Sequence, residues 1–335
     1  MSAARNTLDI KEPIMSVPTP PPFDPELAAA LAVMAEFIPP SLTLETLPTL
    51  RGADIGGMEE DLTRGGAIDV TELTVPGPAG EPDISLLVLR PAGEAGPVPA
   101  LYNIHGGGMI MGTNRLIPTE MLDMIVELKL AVVSVEYRLA PEHPHPAPVE
   151  DSYAGLVWTA KHAGEIGVDP ARILVMGASA GGGLAAAVAL LARDRGGPAL
   201  IGQLLLCPMI DDRNDTVSSH QMAGLGIWDR ISNDTGWTAL LGDRRGGPDV
   251  SPYAAPARAT DLSGLPPAFI DVGSAETFRD EDVAYATRIW QAGGVAELHV
   301  WPGGFHGFDM MAPHAAISQE AKAARLRWLR RILGA

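Results

Sequence analysis

The sequence predicts an α/β fold: a mostly parallel sheet of about eight strands with helices on both faces. Short, near-continuous apolar strands alternate with helical segments from residue 100 onward, as in sheets buried on both faces. Two earlier segments, 68–75 and 84–90, alternate apolar and polar residues like half-buried strands, and read as an antiparallel hairpin at the sheet edge. The chain has 335 residues, 46% apolar and 19% charged, enough to bury a full-sized core.

Along the chain, residues 1–22 are polar and proline-rich and read as an extended arm. Asp24-Pro25-Glu26 is a helix start: an N-cap, a proline at the first helical position and an acid in the first turn. That helix, 27–37, stops at Pro39-Pro40, and a second is expected near 42–51. After the hairpin, with its turn at 76–82, strands are expected at 100–104, 131–135, 172–176, 204–207, 268–272 and 297–301. Helices are expected at 118–129, 149–163, 183–193, 279–291 and 317–333. Residues 208–267 break the alternation and are too long for a plain connection. They carry Met222, Leu225, Ile227, Trp228, Trp237, Leu240 and Leu241, so they read as a folded insertion that forms a lid with the N-terminal helices.

Composition excludes several function classes. Lys+Arg total 24 against 41 Asp+Glu, a net charge of −17, which disfavours nucleic acid and anionic membrane surfaces. The single cysteine, Cys207, allows no intrachain disulfide and fits a cytoplasmic setting. The runs 27–35 and 184–192 fall short of the ~20 apolar residues of a membrane span, and the first 18 residues contain no signal-peptide core.

Three motifs carry chemistry. Gly177-Ala178-Ser179-Ala180-Gly181 lies between a strand and an Ala-rich helix, the strand–turn–helix setting that exposes a nucleophilic serine at a helix N-terminus. A dinucleotide fingerprint fails there, since Ser179 stands at its second glycine. His105-Gly106-Gly107-Gly108 follows the strand 100–104, and its glycines can aim backbone N–H groups at an oxyanion. Gly303-Gly304-Phe305-His306-Gly307-Phe308 follows the last strand and offers a histidine downstream of the serine. His299, inside that strand, and His314 read as structural or exposed. The acid belongs after the strand 268–272, where Glu276, Asp280, Glu281 and Asp282 compete. Asp271 reads as a buried strand residue. The last three candidates open a helix, where the dipole favours acids in any case.

With Tyr137-Arg138-Leu139-Ala140-Pro141-Glu142-His143-Pro144 and Trp301-Pro302-Gly303, these motifs make residues 100–310 resemble the hormone-sensitive-lipase-like esterases, the bacterial family IV group of the α/β-hydrolase fold. All stand in the family's order and approximate spacing. The resemblance implies Ser179 as nucleophile, His306 as general base, and N–H groups of Gly107, Gly108 and Ala180 as the oxyanion hole. Glu276 heads the run Glu276-Thr277-Phe278-Arg279-Asp280-Glu281, where the family usually has Asp. Ala178 replaces an Asp or Thr, and Met109 an aromatic, which softens one pocket wall. The resemblance also implies a helical cap. The expected division is 1–60 as N-terminal arm and cap helices, 61–210 and 256–335 as catalytic domain, and 211–255 as cap insertion.

The expected function is a serine carboxylesterase acting on short- to medium-chain acyl esters through a Ser-Glu-His triad and a covalent acyl-enzyme. Amide, lactone or carbamate hydrolysis on the same triad is the alternative, and a non-catalytic receptor on this fold is the rival from another class. No cofactor or metal is called for: in His143-Pro144-His145-Pro146 the prolines hold the chain extended and no other ligands cluster in sequence. The expected partner is a small-molecule ester, with no nucleic acid and no membrane; a homodimer is left open. Met109-Ile110-Met111 and Met310-Met311 read as core, and Arg325, Arg327, Arg330 and Arg331 as the solvated, dipole-matched end of the last helix.

Overall fold

A computed structural model describes residues 18–36, 39, 41–52 and 61–334. Eight strands form one sheet: β1 (Ile68–Val75), β2 (Ile84–Pro91), β3 (Val98–Ile104), β4 (Ala131–Glu136), β5 (Val168–Ala178), β6 (Gly202–Leu206), β7 (Ala268–Gly273) and β8 (Ala296–Trp301). Their order is β1-β2-β4-β3-β5-β6-β7-β8. β2 runs antiparallel to both β1 and β4, and every pairing from β4 to β8 is parallel. The expected hairpin is therefore present, and its second strand also joins it to the parallel sheet.

Side-chain alternation sends neighbouring residues to opposite faces. Tyr102 and Val175 pack on one face with Leu156 of α4 (Ala147–Lys161), Leu184 of α5 (Ala180–Asp194) and Ile289 of α8 (Arg279–Gln291). Leu101 and Leu174 pack on the other with Leu122 of α3 (Thr119–Leu128) and Trp328 of α10 (Ala316–Leu333).

The first helix, α1 (Pro25–Met34), starts as expected: the Asp24 carboxylate accepts from the amides of Glu26 (2.8 Å) and Leu27 (3.3 Å). Phe37, at its expected end, and residues 1–17 of the arm lie outside the described residues. The second helix is shorter than expected. Thr43 and Thr46 exchange side-chain-to-amide bonds (3.0 and 3.3 Å), giving the backbone an alternative to helix, and α2 begins only at Leu47 (Leu47–Gly52). The insertion folds into α6 (Val217–Gln221) and α7 (Arg230–Leu241). Asp229 joins it to the N-terminal segment. One oxygen caps α7 through Ser232 N (2.8 Å), and the other accepts from Ser41 Oγ (2.9 Å) and Gly224 N (3.0 Å).

Two readings are corrected. Arg325 is not on a solvated face. It is 3% exposed and pairs with Asp271 (2.9 Å) and Asp309, because α10 packs against β7, which carries Asp271, and against the short helix α9 (Phe308–Met311), which carries Asp309. Met310 and Met311, in α9, are exposed, since Phe308 fills the core position beside Leu27 and Phe305. Among the described residues no helix is long and apolar enough to cross a membrane.

Candidate active site

Three chain segments converge at the C-terminal ends of the central strands. The turn from β5 to α5 carries Ser179 with φ 58° and ψ −124°. The turn exists because its flanking positions have no room for side chains. A Cβ on Gly177 would lie 2.2 Å from the Gly181 carbonyl oxygen, and one on Gly181 would lie 2.0 Å from the Ile104 carbonyl oxygen. The Ser179 backbone is held by its amide donating to Leu206 O (2.8 Å) and its carbonyl accepting from Gly183 N and Met209 N. Its side chain makes no helix-capping bond and turns to the imidazole.

His306 stands in the loop after β8, with Nε2 2.9 Å from Ser179 Oγ and Nδ1 2.5 Å from Glu276 Oε1. The second Glu276 oxygen accepts from Gly273 N (3.1 Å), which fixes the carboxylate plane. Glu276 is 2% exposed. The Phe278 ring meets the imidazole edge-on at 5.2 Å, and Trp228 lies tilted 6.3 Å away. The other acids point elsewhere. Asp280 accepts from Ser218 N (2.8 Å) and pairs with Arg279, and Glu281 Oε1 accepts from the amides of Ile210 and Asp211. The Asp282 carboxyl is fully buried with no hydrogen-bond partner among the described residues, and burial pushes it well up. His299 bonds Glu297 (2.9 Å) and stacks between Phe269 and Trp301, while His314 is exposed.

The glycine loop after β3 takes backbone conformations that favour glycine, with φ 108° at Gly107 and 63° at Gly108. The amides of Gly107, Gly108 and Ala180 donate to no protein acceptor among the described residues, so this loop and the N-terminus of α5 present unpaired donors near the serine. The loop is braced from behind. The Tyr137 ring stacks on His105 at 4.1 Å, its hydroxyl donates to His105 O (2.9 Å), and Ala140 N donates to Met109 O (2.9 Å). Arg138 holds that segment by pairing two nitrogens with buried Asp151 (both 2.8 Å). His105 itself is no base: burial pushes it down to about 4, so it is neutral near pH 7.

Sequence reasoning missed four contributors. Arg51 of α2 donates to Ile110 O (2.6 Å) and Ala140 O (2.7 Å), pinning the glycine loop from the N-terminal segment. In the sequence Trp228 reads only as an apolar residue of the insertion. Its indole covers Gly108 so closely that a Cβ there would lie 2.4 Å from Cη2, and its carbonyl accepts from Thr277 Oγ1 (2.7 Å). Gly273 carries the amide that orients Glu276. Cys207, just after β6, brings its thiol beside Glu276 and His306, and burial, followed by the nearby carboxyl groups of Glu276, Asp309 and Asp271, pushes the thiol well up. No local pattern announces any of these, because each depends on which segments the sheet order makes neighbours.

Known proteins agree with this architecture. A family model described as the alpha/beta hydrolase fold matches residues 101–310. Carboxylesterase NlhH of Mycobacterium tuberculosis is 39% identical over 272 residues, covering 79% of this chain and 83% of that protein. Carboxylic ester hydrolase LipN of the same organism is 39% identical over 246 residues, covering 72% and 64%. Among solved structures, a bacterial heroin esterase superposes with a TM-score of 0.85 at 42% identity, covering 93% of this chain and 98% of its own. Esterase LipW from Mycobacterium marinum gives 0.78 at 32% identity, covering 94% and 98%.

Proposed function

The chain belongs to the alpha/beta hydrolase fold family and is a carboxylic ester hydrolase, and on that footing we propose that it cleaves short- to medium-chain acyl esters through Ser179, His306 and Glu276. The observation that carries this reading is the continuous contact from Glu276 Oε1 to His306 Nδ1 (2.5 Å) and from Nε2 to Ser179 Oγ (2.9 Å).

In the proposed cycle His306 Nε2 takes the hydroxyl proton as Ser179 Oγ attacks the ester carbonyl. The amides of Gly107, Gly108 and Ala180 hold the developing oxyanion, each donor contributing ~3 kcal/mol. Glu276 keeps the proton of the neutral imidazole on Nδ1 and stabilises the imidazolium. That imidazolium protonates the leaving alcohol and leaves an acyl-Ser179 ester. Water, deprotonated by the same Nε2, then releases the carboxylic acid and restores the serine.

The N-terminal segment 1–60 and the insertion 211–255 serve as the cap over the catalytic units 61–210 and 256–335. Supporting this, Asp24 N donates to Gly303 O (3.1 Å) in the histidine loop, Leu27 packs on Phe305, and Leu42 N donates to Ser232 Oγ (2.8 Å) in the insertion. Such a roof limits acyl length. Rates on p-nitrophenyl esters of rising chain length, with Ser179→Ala as control, test both points. Butyrate is expected to exceed emulsified triolein by orders of magnitude, and Ser179→Ala to be inactive but folded. Activity in cleanly purified Ser179→Ala removes the mechanism, and equal rates on butyrate and triolein remove the cap reading.

A further inference from the structure

The Cys207 thiol is a nucleophilic, metal-ligating group beside the active site that ester hydrolysis does not use. The residue follows β6 with φ 38°, and its amide donates to Asp271 O (2.7 Å) in the neighbouring strand. The chain is thereby held against the loop that carries Glu276. One donor atom each of Cys207, Glu276 and His306 lies within 4.8 Å of the other two. From this convergence we propose a latent inhibitory site for a borderline-soft divalent cation of the zinc class, held by Cys207 Sγ, a Glu276 oxygen and a His306 ring nitrogen.

Thiolate, imidazole and carboxylate are the three donor types that Zn²⁺ takes, at ~2.3 Å for sulfur and ~2.0–2.2 Å for nitrogen and oxygen. Donors on a tetrahedral ion at those lengths stand about 3.3–3.7 Å apart. The three donors, within 4.8 Å of one another, therefore have to rearrange, with the Glu276 Oε1 to His306 Nδ1 contact, now 2.5 Å, opening by about 1 Å. Small side-chain rotations supply that, and water or a substrate oxygen takes the fourth position. The thiolate selects against Mg²⁺ and Ca²⁺, which prefer all-oxygen sites. Asp271 and Asp309 are buried nearby, both paired with the buried Arg325.

On binding, the thiol proton leaves to solvent and the metal–sulfur bond forms. Ligation at Nε2 occupies the lone pair that would take the Ser179 proton. Ligation at Nδ1 displaces the Glu276 hydrogen bond and leaves the proton on Nε2. Neither form can act as the base, so the ion inhibits whichever nitrogen it takes. The inhibitory half of this inference rests on the proposed role of His306; the binding half does not.

The test uses the full chain. Zn²⁺ and Mg²⁺ are titrated against the rate on p-nitrophenyl butyrate for the wild type, Cys207→Ser and Cys207→Ala, each relative to its own metal-free rate. In parallel, Co²⁺ uptake by the wild type, Ser179→Ala and Cys207→Ser is followed by the thiolate-to-cobalt charge-transfer absorption. Zn²⁺ is expected to inhibit the wild type reversibly to EDTA, with Mg²⁺ inert at equal concentration. Both cysteine variants should need at least about 10–100-fold more Zn²⁺, the loss that changing even a ligand's supporting partner causes. The charge-transfer band should appear in wild type and Ser179→Ala and vanish in Cys207→Ser. Equal Zn²⁺ sensitivity in all three proteins, or a wild type with no thiolate band, overturns the site. A normal band in a wild type that lacks any esterase activity instead overturns the ester-hydrolysis reading and leaves the metal site standing.

Discussion

Replacing Glu276 by Gln tests the proposed mechanism at its least visible member. The substitution keeps size and shape, and both ends of the group have assigned partners: His306 Nδ1 at 2.5 Å and Gly273 N at 3.1 Å. A carboxylate accepts from both, whereas an amide accepts at one end and donates at the other. With its oxygen toward Nδ1, its NH₂ group faces the Gly273 N–H and leaves a buried donor unsatisfied, at ~1–3 kcal/mol. With its oxygen toward Gly273, its NH₂ donates to Nδ1 and every partner is satisfied. The second arrangement wins, and it moves the imidazole proton to Nε2. A protonated Nε2 donates to Ser179 Oγ and cannot take its proton. A wrong tautomer of this kind lowers turnover about 10⁴-fold, equivalent to ~5 kcal/mol of activation free energy. Steady-state kinetics on p-nitrophenyl butyrate should therefore show kcat of Glu276→Gln reduced by about 10³–10⁴, with little change in KM or melting temperature. Asp280→Asn is the matched control. Asp280 holds Ser218 N (2.8 Å) and Arg279, joining the insertion to α8, so its loss should cost ~1 kcal/mol of stability and little kcat. A large kcat loss in Asp280→Asn beside near-normal Glu276→Gln would refute the reasoning.

Arg325→Met should destabilise the protein by ~3–5 kcal/mol in urea denaturation, because Asp271 and Asp309 would be left buried and unpaired. A loss below ~1 kcal/mol would show that this buried charge cluster, which Glu120 also joins at 3.6 Å, is not coupled to folding. His105, held neutral by burial down to about 4 against 6.5 in the unfolded chain, binds its proton first in the unfolded state. Its contribution is present above pH ~6.5 and is lost as pH falls toward ~4, by up to ~3 kcal/mol. His105→Gln should flatten that part of the stability–pH curve, and an identical slope in both proteins counts against the assignment.

The strands and most helices were legible because each is written in local composition. β1, for example, is an alternating run bounded by a turn, and α8 (Arg279–Gln291) matches its expected bounds. Ser179 and His306 were legible for a related reason: a tight strand–turn–helix needs particular residues at adjacent positions, wherever the rest of the chain goes. The acid was not. Glu276, Asp280, Glu281 and Asp282 lie within seven residues of chain and share one chemistry. They separate only when β6, β7 and the insertion are assembled, leaving Glu276 opposite the imidazole and Asp280 on Ser218. Arg325 misled for the same reason. On the pattern of α10 it belongs to a basic, solvated end, yet Asp271 and Asp309 wait where that face meets the sheet. Cys207 carried no signal beyond being a lone thiol, and its place beside Glu276 and His306 comes from the parallel pairing of β6 with β7. Local propensity specifies a residue's own backbone. Pairings between distant segments depend on which surfaces packing brings together, and that information is spread over the whole core.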